Sequence, residues 1–552
     1  MKKICLLIAT FLLATTGSFA QKENNVWVFG DRMGIDFNGT TPTLISSAIR
    51  TTGGSASVCN SSGQLLFYTQ GDTVWNRNDQ PMTNGKGLIA PYGSNASGGQ
   101  SSQGQLILPV IGNGSQYYVF SVEAGQDYIF NGDPYAGRVY YSVVDMTLNG
   151  GLGDVVSTQK KIPVDSIVSS EKMIAIPGSN CSVWLLLHNM EDNKFKAYRI
   201  DNNGISSTPV VSACGLSTTP LSYALGKMKA SPDGHKIVTS NFLLGNYGCE
   251  TYDFDPATGT VSNPAVLDSI PQGISACFSP DNSKLYYFSF AGGTGALYQY
   301  NLSLSTTAAI MASRTLIDTL TDAGTSVYDA KIAPDGKIYV KMPYSATGAV
   351  HDTIGRIGSP NLAGTACAYT RAALVSSQAI LLGNGDLPNT FVKPLQDTTF
   401  ISTSTNLTTN STVLLQGPSG YYSYQWNTGD TTSSVTATAP GTYWVISNNY
   451  CNRRTDTFKV GPRLSVNNIT VAEAGITVYP NPAGDDVTVK ISGMNNHGSI
   501  SVTDMLGKTI ITTDVQNNTT HINTAALAAG TYIITYTDGS GLNRHTRLQI
   551  AR

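Results

Sequence analysis

The sequence predicts an all-β protein, and three observations carry that reading. Of its 36 acidic residues, 30 are Asp and only 6 are Glu. Asp belongs in turns and caps whereas Glu is a helix former, so the skew favours strands joined by tight turns. The chain is also rich in Gly (55) and Tyr (28). Finally, one strand–turn–strand pattern recurs along the first 340 residues at a spacing near 50.

Length and charge bound the function classes. A chain of 552 residues and 58.5 kDa is long enough for three to five domains. Its 34 basic side chains nearly balance the acidic ones, giving a net charge of −2. No basic surplus points to nucleic acid, and 41% hydrophobic content excludes a charge-driven disordered chain.

Residues 1–20 have the pattern of a signal peptide. Lys2 and Lys3 form the positive region, Ile4 to Ala14 the apolar stretch, and Ser18-Phe19-Ala20 the small-residue cleavage signal. Cleavage is expected between Ala20 and Gln21. The apolar run is too short to span a bilayer, so no transmembrane anchor is expected. Beyond Cys5, seven cysteines remain (Cys59, Cys181, Cys214, Cys249, Cys277, Cys367 and Cys451), an odd number for an oxidising compartment. None has zinc-ligand spacing.

The repeat organises residues 21–392. It reads SVCNSSGQLLFYT from Ser57, LPVIGNGSQYYVFS from Leu108 and AIPGSNCSVWLLLH from Ala175. It returns as KASPDGHKIVTS from Lys229, CFSPDNSKLYYFS from Cys277 and KIAPDGKIYVK from Lys331. Pro presets φ, Asp bonds back to the backbone, and Gly or Asn tolerates positive φ, so Pro-Asp-Gly is a turn. Taking Gly63, Gly114, Gly178, Gly234, Asn282 and Gly336 as turn residues, the spacings are 51, 64, 56, 48 and 54. Such a period, with four strands' worth of residues per unit, predicts a β-propeller of six to eight blades, seven favoured, ahead of a β-helix or a row of separate sandwiches. The widest gap holds an insertion at residues 125–137. Residues 24–30 (NNVWVFG) are expected to close the ring by pairing into the last blade.

Two small β-sandwiches are expected to follow. Residues 395–462 combine Thr- and Ser-rich strands with Tyr424-Gln425-Trp426 and a VTATAPGTYWVISN run. They resemble the Ig-like repeats of secreted Bacteroidota proteins through Trp426 to Gly429, Pro440 to Tyr443 and Cys451. The early partner cysteine of those repeats is absent here, which leaves Cys451 as the expected free thiol. A linker at 463–474 then leads to residues 475–552, where apolar and polar residues alternate in Ser499 to Val502 and Tyr532 to Tyr536.

In this last module Val478-Tyr479-Pro480-Asn481-Pro482, Asp504-Met505-Leu506-Gly507-Lys508 and Ala529-Gly530-Thr531-Tyr532 resemble, in order and spacing, the type A C-terminal sorting domain of the Bacteroidota type IX secretion system. The resemblance implies the type IX translocon as a partner, and a route through the periplasm to the cell surface or beyond. It also implies removal of the module by cutting in the linker, with the cargo released or attached to lipopolysaccharide. Tyr479, Pro480, Asn481 and Pro482 are expected to set the entry to the first strand. Leu506 and Gly507 should form a central turn, and Gly530, Thr531 and Tyr532 the last hairpin. The ring segments NNVWVFGDRMGIDF, GQLLFYTQGDTVWNRN and YSVVDMTLNGGLGDV in turn resemble the propeller-like ectodomains of type IX cargo proteins, which implies architecture and address but no ligand.

Chemistry is sparse. There is no HExxH, GxSxG, P-loop or strand–GxGxxG–helix pattern, so no catalytic residue, metal or cofactor is assigned. The six His have no ligand spacing, and His188 reads as a satisfied strand-end residue. Asp253-Phe254-Asp255-Pro256 with Gly259 is read as a hairpin turn rather than a calcium loop. Asp-Ser/Thr-aliphatic triplets at 72, 165, 268, 318 and 352 resemble the Bacteroidota O-glycosylation sequon. Two function classes remain: a non-enzymatic binding or adhesion protein whose propeller rim takes a glycan or protein ligand, and a secreted enzyme acting on polysaccharide or peptide in the propeller channel.

Overall fold

The computed structural model describes residues 22–89, 101–125, 137–165, 168–215, 226–241, 248–268, 273–289, 295–320, 329–341, 353–375, 386–395, 397–407, 412–462, 475–492, 497–539 and 541–552. The cleavage site at Ala20 and Gln21, most of the insertion after Gly125 and the linker 463–474 lie outside them.

Seven antiparallel sheets follow one another between Val26 and Val375. Sheet 1 comprises Val26–Phe29, Asp31–Asp36 and Thr43–Arg50, and sheet 2 Ala56–Cys59, Leu65–Thr69 and Val74–Asn76. Sheet 3 begins at Gln105–Pro109, sheet 4 at Ser169–Gly178, sheet 5 at Met228–Ala230, sheet 6 at Gly273–Phe278 and sheet 7 at Asp329–Ile332.

Between each sheet and the next lies its own apolar core, because side chains alternate between the two faces of a strand. In Ser182–Asn189 of sheet 4 every residue is buried. Val183, Leu185 and Leu187 pack toward sheet 3 against Leu106, Phe120 and Val143. Trp184 and Leu186 pack toward sheet 5 against Met228, Ile237 and Tyr252. Equivalent cores join sheets 5 and 6, sheets 6 and 7, and sheets 1, 2 and 3. The last core sets Trp27, Phe29 and Ile35 of sheet 1 against Tyr339 and Ile354 of sheet 7. The sheets therefore close into a seven-bladed β-propeller.

The recurring turns share one hydrogen-bond pattern. The amides of Gly63, Gly234, Asn282 and Gly336 each donate to the carbonyl three residues back, at 2.9–3.0 Å. All four have φ between +63° and +89°, which explains the choice of Gly or Asn. Gly114 and Gly178 do not turn the chain in this way. In sheet 3 the positive φ falls on Gly112, and in sheet 4 on Asn180 and Cys181, so the corresponding turns sit two residues away from the ones expected.

Ring closure differs from the expectation for residues 24–30. Val26–Phe29 pairs with Asp31–Asp36 inside sheet 1, not with the last blade. The inner place of three-stranded sheet 1 is taken by residues 386–391. Leu387 packs with Trp27 and Phe29, and Asn389 bridges in parallel to Ala56, on the innermost strand of sheet 2. The amides of Asp386 and Asn389 donate to Gly53 and Ser55, and Asn24 clamps Phe391 through both its amide and its carbonyl.

The second module is a two-layer sandwich. One layer contains Asp397–Asn406, Ser423–Trp426, Gly441–Asn448 and Asn452–Gly461, with the first of these strands pairing in parallel to the last. The other contains Val413–Gln416 and Ser434–Ala437. Trp426 fills the space between them, stacked on Phe458. This module and the ring form one compact unit ending at Pro462. Cys451 is not free. It is bonded to Cys181 in the sheet 4 turn, while Tyr422 covers Gly114 and Tyr450 hydrogen-bonds Tyr117. Its partner is absent from its own module because it lies in the ring.

The second unit, from Arg463 to Arg552, has a separate core. Ile476–Tyr479, Asp486–Ile491 and Thr519–Asn523 form one layer. Gly498–Asp504, Thr509–Val515, Gly530–Asp538 and Asn543–Ile550 form the other.

Candidate functional site

Residues 386–389 reach the ring axis, where an enzyme reading places its chemistry. The Asn389 side-chain amide donates to the carbonyls of Gln103, Gln105 and Met173. Lys331 donates to Pro388 at 2.7 Å with its ammonium over the Trp27 ring. Asp386 is ion-paired to Lys227. These partners come from sheets 3, 4 and 7 and from the residue just before sheet 5, so the side chains of this inner segment reach across the ring.

The charged groups nearby are bound to protein. Glu171 accepts from the amides of Ser102 (2.6 Å) and Gly125 (3.0 Å). Lys172 donates to Asn241, and Asp329 holds Lys229 at 3.0 Å and accepts from Ser275. Burial pulls Lys172 and Lys331 down to about 7 and raises the Glu171 and Asp386 carboxyls. Buried charges are retained when paired and hydrogen-bonded; of these, Lys227 and Lys331 bind the axial segment directly.

Other residues singled out in the sequence are structural. His188 is buried edge-on to Phe195 with Nδ1 2.6 Å from the Asn189 carbonyl, and burial pushes it down to about 3. Asp255 caps its own hairpin through Ala257 and Thr258, while Asp253 holds Lys236 and Asn263. The Thr73 hydroxyl is buried and bound to Asp72 at 3.1 Å, which withdraws it as a glycan acceptor. Ser166, Ser269 and Asp352 of other triplets lie outside the described residues. Burial raises the Cys59 and Cys277 thiols to about 12, leaving them poor nucleophiles.

A cavity of about 510 Å³ opens on the flank between sheets 3 and 4. Tyr118 and Tyr141, edge to face at 5.5 Å, form one wall. Thr158, Gln159 and Ile162–Val164 continue it, and the turn at Asn203–Ser207 forms the other side. Gly204 adopts φ +97° there, opposite the Tyr118 hydroxyl. Sequence reasoning did not find this site, since its residues carry no motif and converge from two sheets.

In the C-terminal module the sequence-predicted residues occupy three places. Tyr479 ends the first strand, and Pro480 and Pro482 follow it, both after cis peptide bonds. They shape the exit of that strand and not its entry. Asn481 between them bonds the last strand, donating to the Arg547 carbonyl and accepting from the Gln549 amide. Leu506 and Gly507 form the tip of the 498–515 hairpin. Asp504 accepts from the amides of Leu506 and Lys508, and the Leu506 side chain is 95% exposed. Gly530, Thr531 and Tyr532 begin a strand of the last hairpin. Tyr532 donates to Ala528 and Thr531 to Gln549. Gly530 is not in the left-handed region, and an added Cβ would meet only contacts at 4.0 Å, so no special turn depends on it.

Comparison with known proteins adds an address. Residues 477–550 match the secretion system C-terminal sorting domain. An endo-acting ulvan lyase of Formosa agariphila is 33% identical over 86 residues, 15% of this chain and 16% of that protein. The chain thus spans about one sixth of the length of that relative. Similar solved structures include a quinonprotein alcohol dehydrogenase-like protein of Bacteroides thetaiotaomicron, at 14% identity and TM-score 0.33 over 61% of this chain and 73% of that one. TolB of Acinetobacter baumannii is 13% identical, with TM-score 0.30 over 66% and 64%. No helix among the described residues is long and apolar enough to cross a membrane. The chain carries at its C-terminal end the sorting domain of type IX secretion cargo, and is exported by that system to the cell surface or outside the cell.

Proposed function

We propose that the exported chain is a non-enzymatic binding protein whose propeller presents a glycan- or protein-binding surface, with the translocon as its partner during export. One observation supports this reading: among the described residues, the charged and amide side chains that reach the axis are spent on protein partners, with Lys227, Lys331 and Asn389 tying residues 386–389 into the ring. A channel enzyme needs a cleft with carboxylates or a histidine open to substrate. Here Glu171 and Asp386 are buried and bound, and His188 is buried on a second strand. In the sorting module, Tyr479–Pro482, Leu506–Gly507 and Gly530–Tyr532 are read as parts of a surface recognised in the folded state. The rival reading, a secreted enzyme acting on polysaccharide or peptide, draws on the 86-residue similarity to the ulvan lyase.

The test is a glycan, polysaccharide and surface-protein binding array on the full chain, followed by turnover assays on each hit. Binding without turnover is expected. Turnover that a single point substitution abolishes would overturn the reading.

A further inference from the structure

We infer that the cleft between sheets 3 and 4 is a binding site for an uncharged oligosaccharide. The inference rests on the binding reading above and names its site and ligand class.

Size comes first. A volume of about 510 Å³ falls within the roughly 300–1,000 Å³ typical of small-molecule sites. Chemistry narrows the occupant. The lining offers two phenol rings, the amides of Gln159 and Asn203, and the hydroxyls of Thr158, Ser206 and Ser207, with no Asp, Glu, Lys, Arg or His among them. Burial raises the Tyr118 phenol further, so that group is uncharged as well. An anionic or cationic ligand would lose its hydration and meet no opposite charge. A pyranose ring has apolar C–H faces, which suit an aromatic wall, and a girdle of hydroxyls, which suits neutral amides and hydroxyls.

The nearest charges are already committed elsewhere. Lys161 lies over the Tyr140 ring at 5.1 Å, Arg199 pairs with Asp201 at 3.4 Å, and Asp165 is held by Lys196 and Tyr198. The wall is also rigid. Tyr118 packs in the core between the two sheets, and the Ser206 hydroxyl and amide are both tied to Arg199. Gln159 and Asn203 are exposed at the mouth, free to meet hydroxyls that replace water.

The experiment compares the full chain with Tyr141→Ala and with Gln159→Ala/Asn203→Ala. The probes are neutral oligosaccharides (gluco-, manno-, xylo- and galacto-series), with uronate and sulfated polymers and a neutral peptide pool as contrasts. Binding to a neutral series is expected, weakened at least about tenfold by either variant. The double variant changes exposed side chains only, so it keeps the test valid where Tyr141→Ala loosens the fold. Unweakened neutral-sugar binding in the double variant would overturn the cleft while leaving the binding reading intact. Preference for the charged polymers or the peptides would overturn the ligand class. Turnover of a bound sugar would instead overturn the non-enzymatic reading.

Discussion

Lys227 and Asp386 form an ion pair at the ring axis, with side chains only 4% and 7% exposed. The lysine precedes the first strand of sheet 5, and the aspartate belongs to the segment that arrives after sheet 7. The pair therefore joins parts of the chain 159 residues apart. Breaking one side of a buried pair leaves the other charge uncompensated, at a cost of about 3–5 kcal/mol. Lys227→Met should lower stability by that order in chemical denaturation. Lys227→Met/Asp386→Leu should recover much of the loss, and an unrestored double variant would count against the pairing.

Asn389 should be a second point of sensitivity. Its amide serves three carbonyls on two sheets, and unsatisfied buried groups cost about 1–3 kcal/mol each. Asn389→Leu should lower the unfolding midpoint clearly, whereas a change at exposed Leu395 should not.

Alkaline stability follows from Lys331. Burial holds it near 7 in the folded protein against 10.5 as its ordinary value. Between those pH values the unfolded chain binds a proton that the folded chain lacks, so stability rises with pH by up to about 1.4 kcal/mol per unit. Below pH 7 both states carry the proton and the slope vanishes. Denaturation curves from pH 7 to 10 should show this rise, and Lys331→Met should reduce it.

The disulfide gives a mass-spectrometric expectation. Non-reducing digestion should recover a peptide linking Cys181 to Cys451. Cys59, Cys249, Cys277 and Cys367 are buried and should label with a thiol reagent only after denaturation. Cys451→Ser should let residues 397–462 be proteolysed ahead of the ring. Equal protease resistance would mean that the tyrosine contacts suffice.

Deleting residues 463–552 should leave the first unit folded, because it has its own core, and should stop its appearance outside the cell. Normal surface amounts of the truncated chain would overturn the export role of the module.

Much of the ring was legible because Pro-Asp-Gly and its variants announce a turn through local conformational demands, as Gly234, Asn282 and Gly336 illustrate. Closure was not. Val26–Phe29 is apolar and β-branched, as a closing strand would be, whereas Asp386-Leu387-Pro388-Asn389 carries no strand pattern. Its place is set by long-range bonds to several sheets. Cys181 and Cys451 were likewise unpairable by reading, since their proximity depends on how the second module seats on the ring. The flank cleft shares this character: Tyr141 and Asn203 meet only once two sheets pack.

The axial segment also dictates an order of events. Residues 22–50 are synthesised first, yet their sheet obtains its inner neighbour only when Leu387–Phe391 has emerged. Contacts this far apart in sequence are slow to form. Until then Trp27 and Phe29 lack one wall of their core. A chain ending before residue 386 would lack the inner neighbour of sheet 1 and the bonds that tie it to sheets 2, 3, 4 and 7. The ring in this sense registers its own completeness, because its first sheet is finished by residues that follow its last.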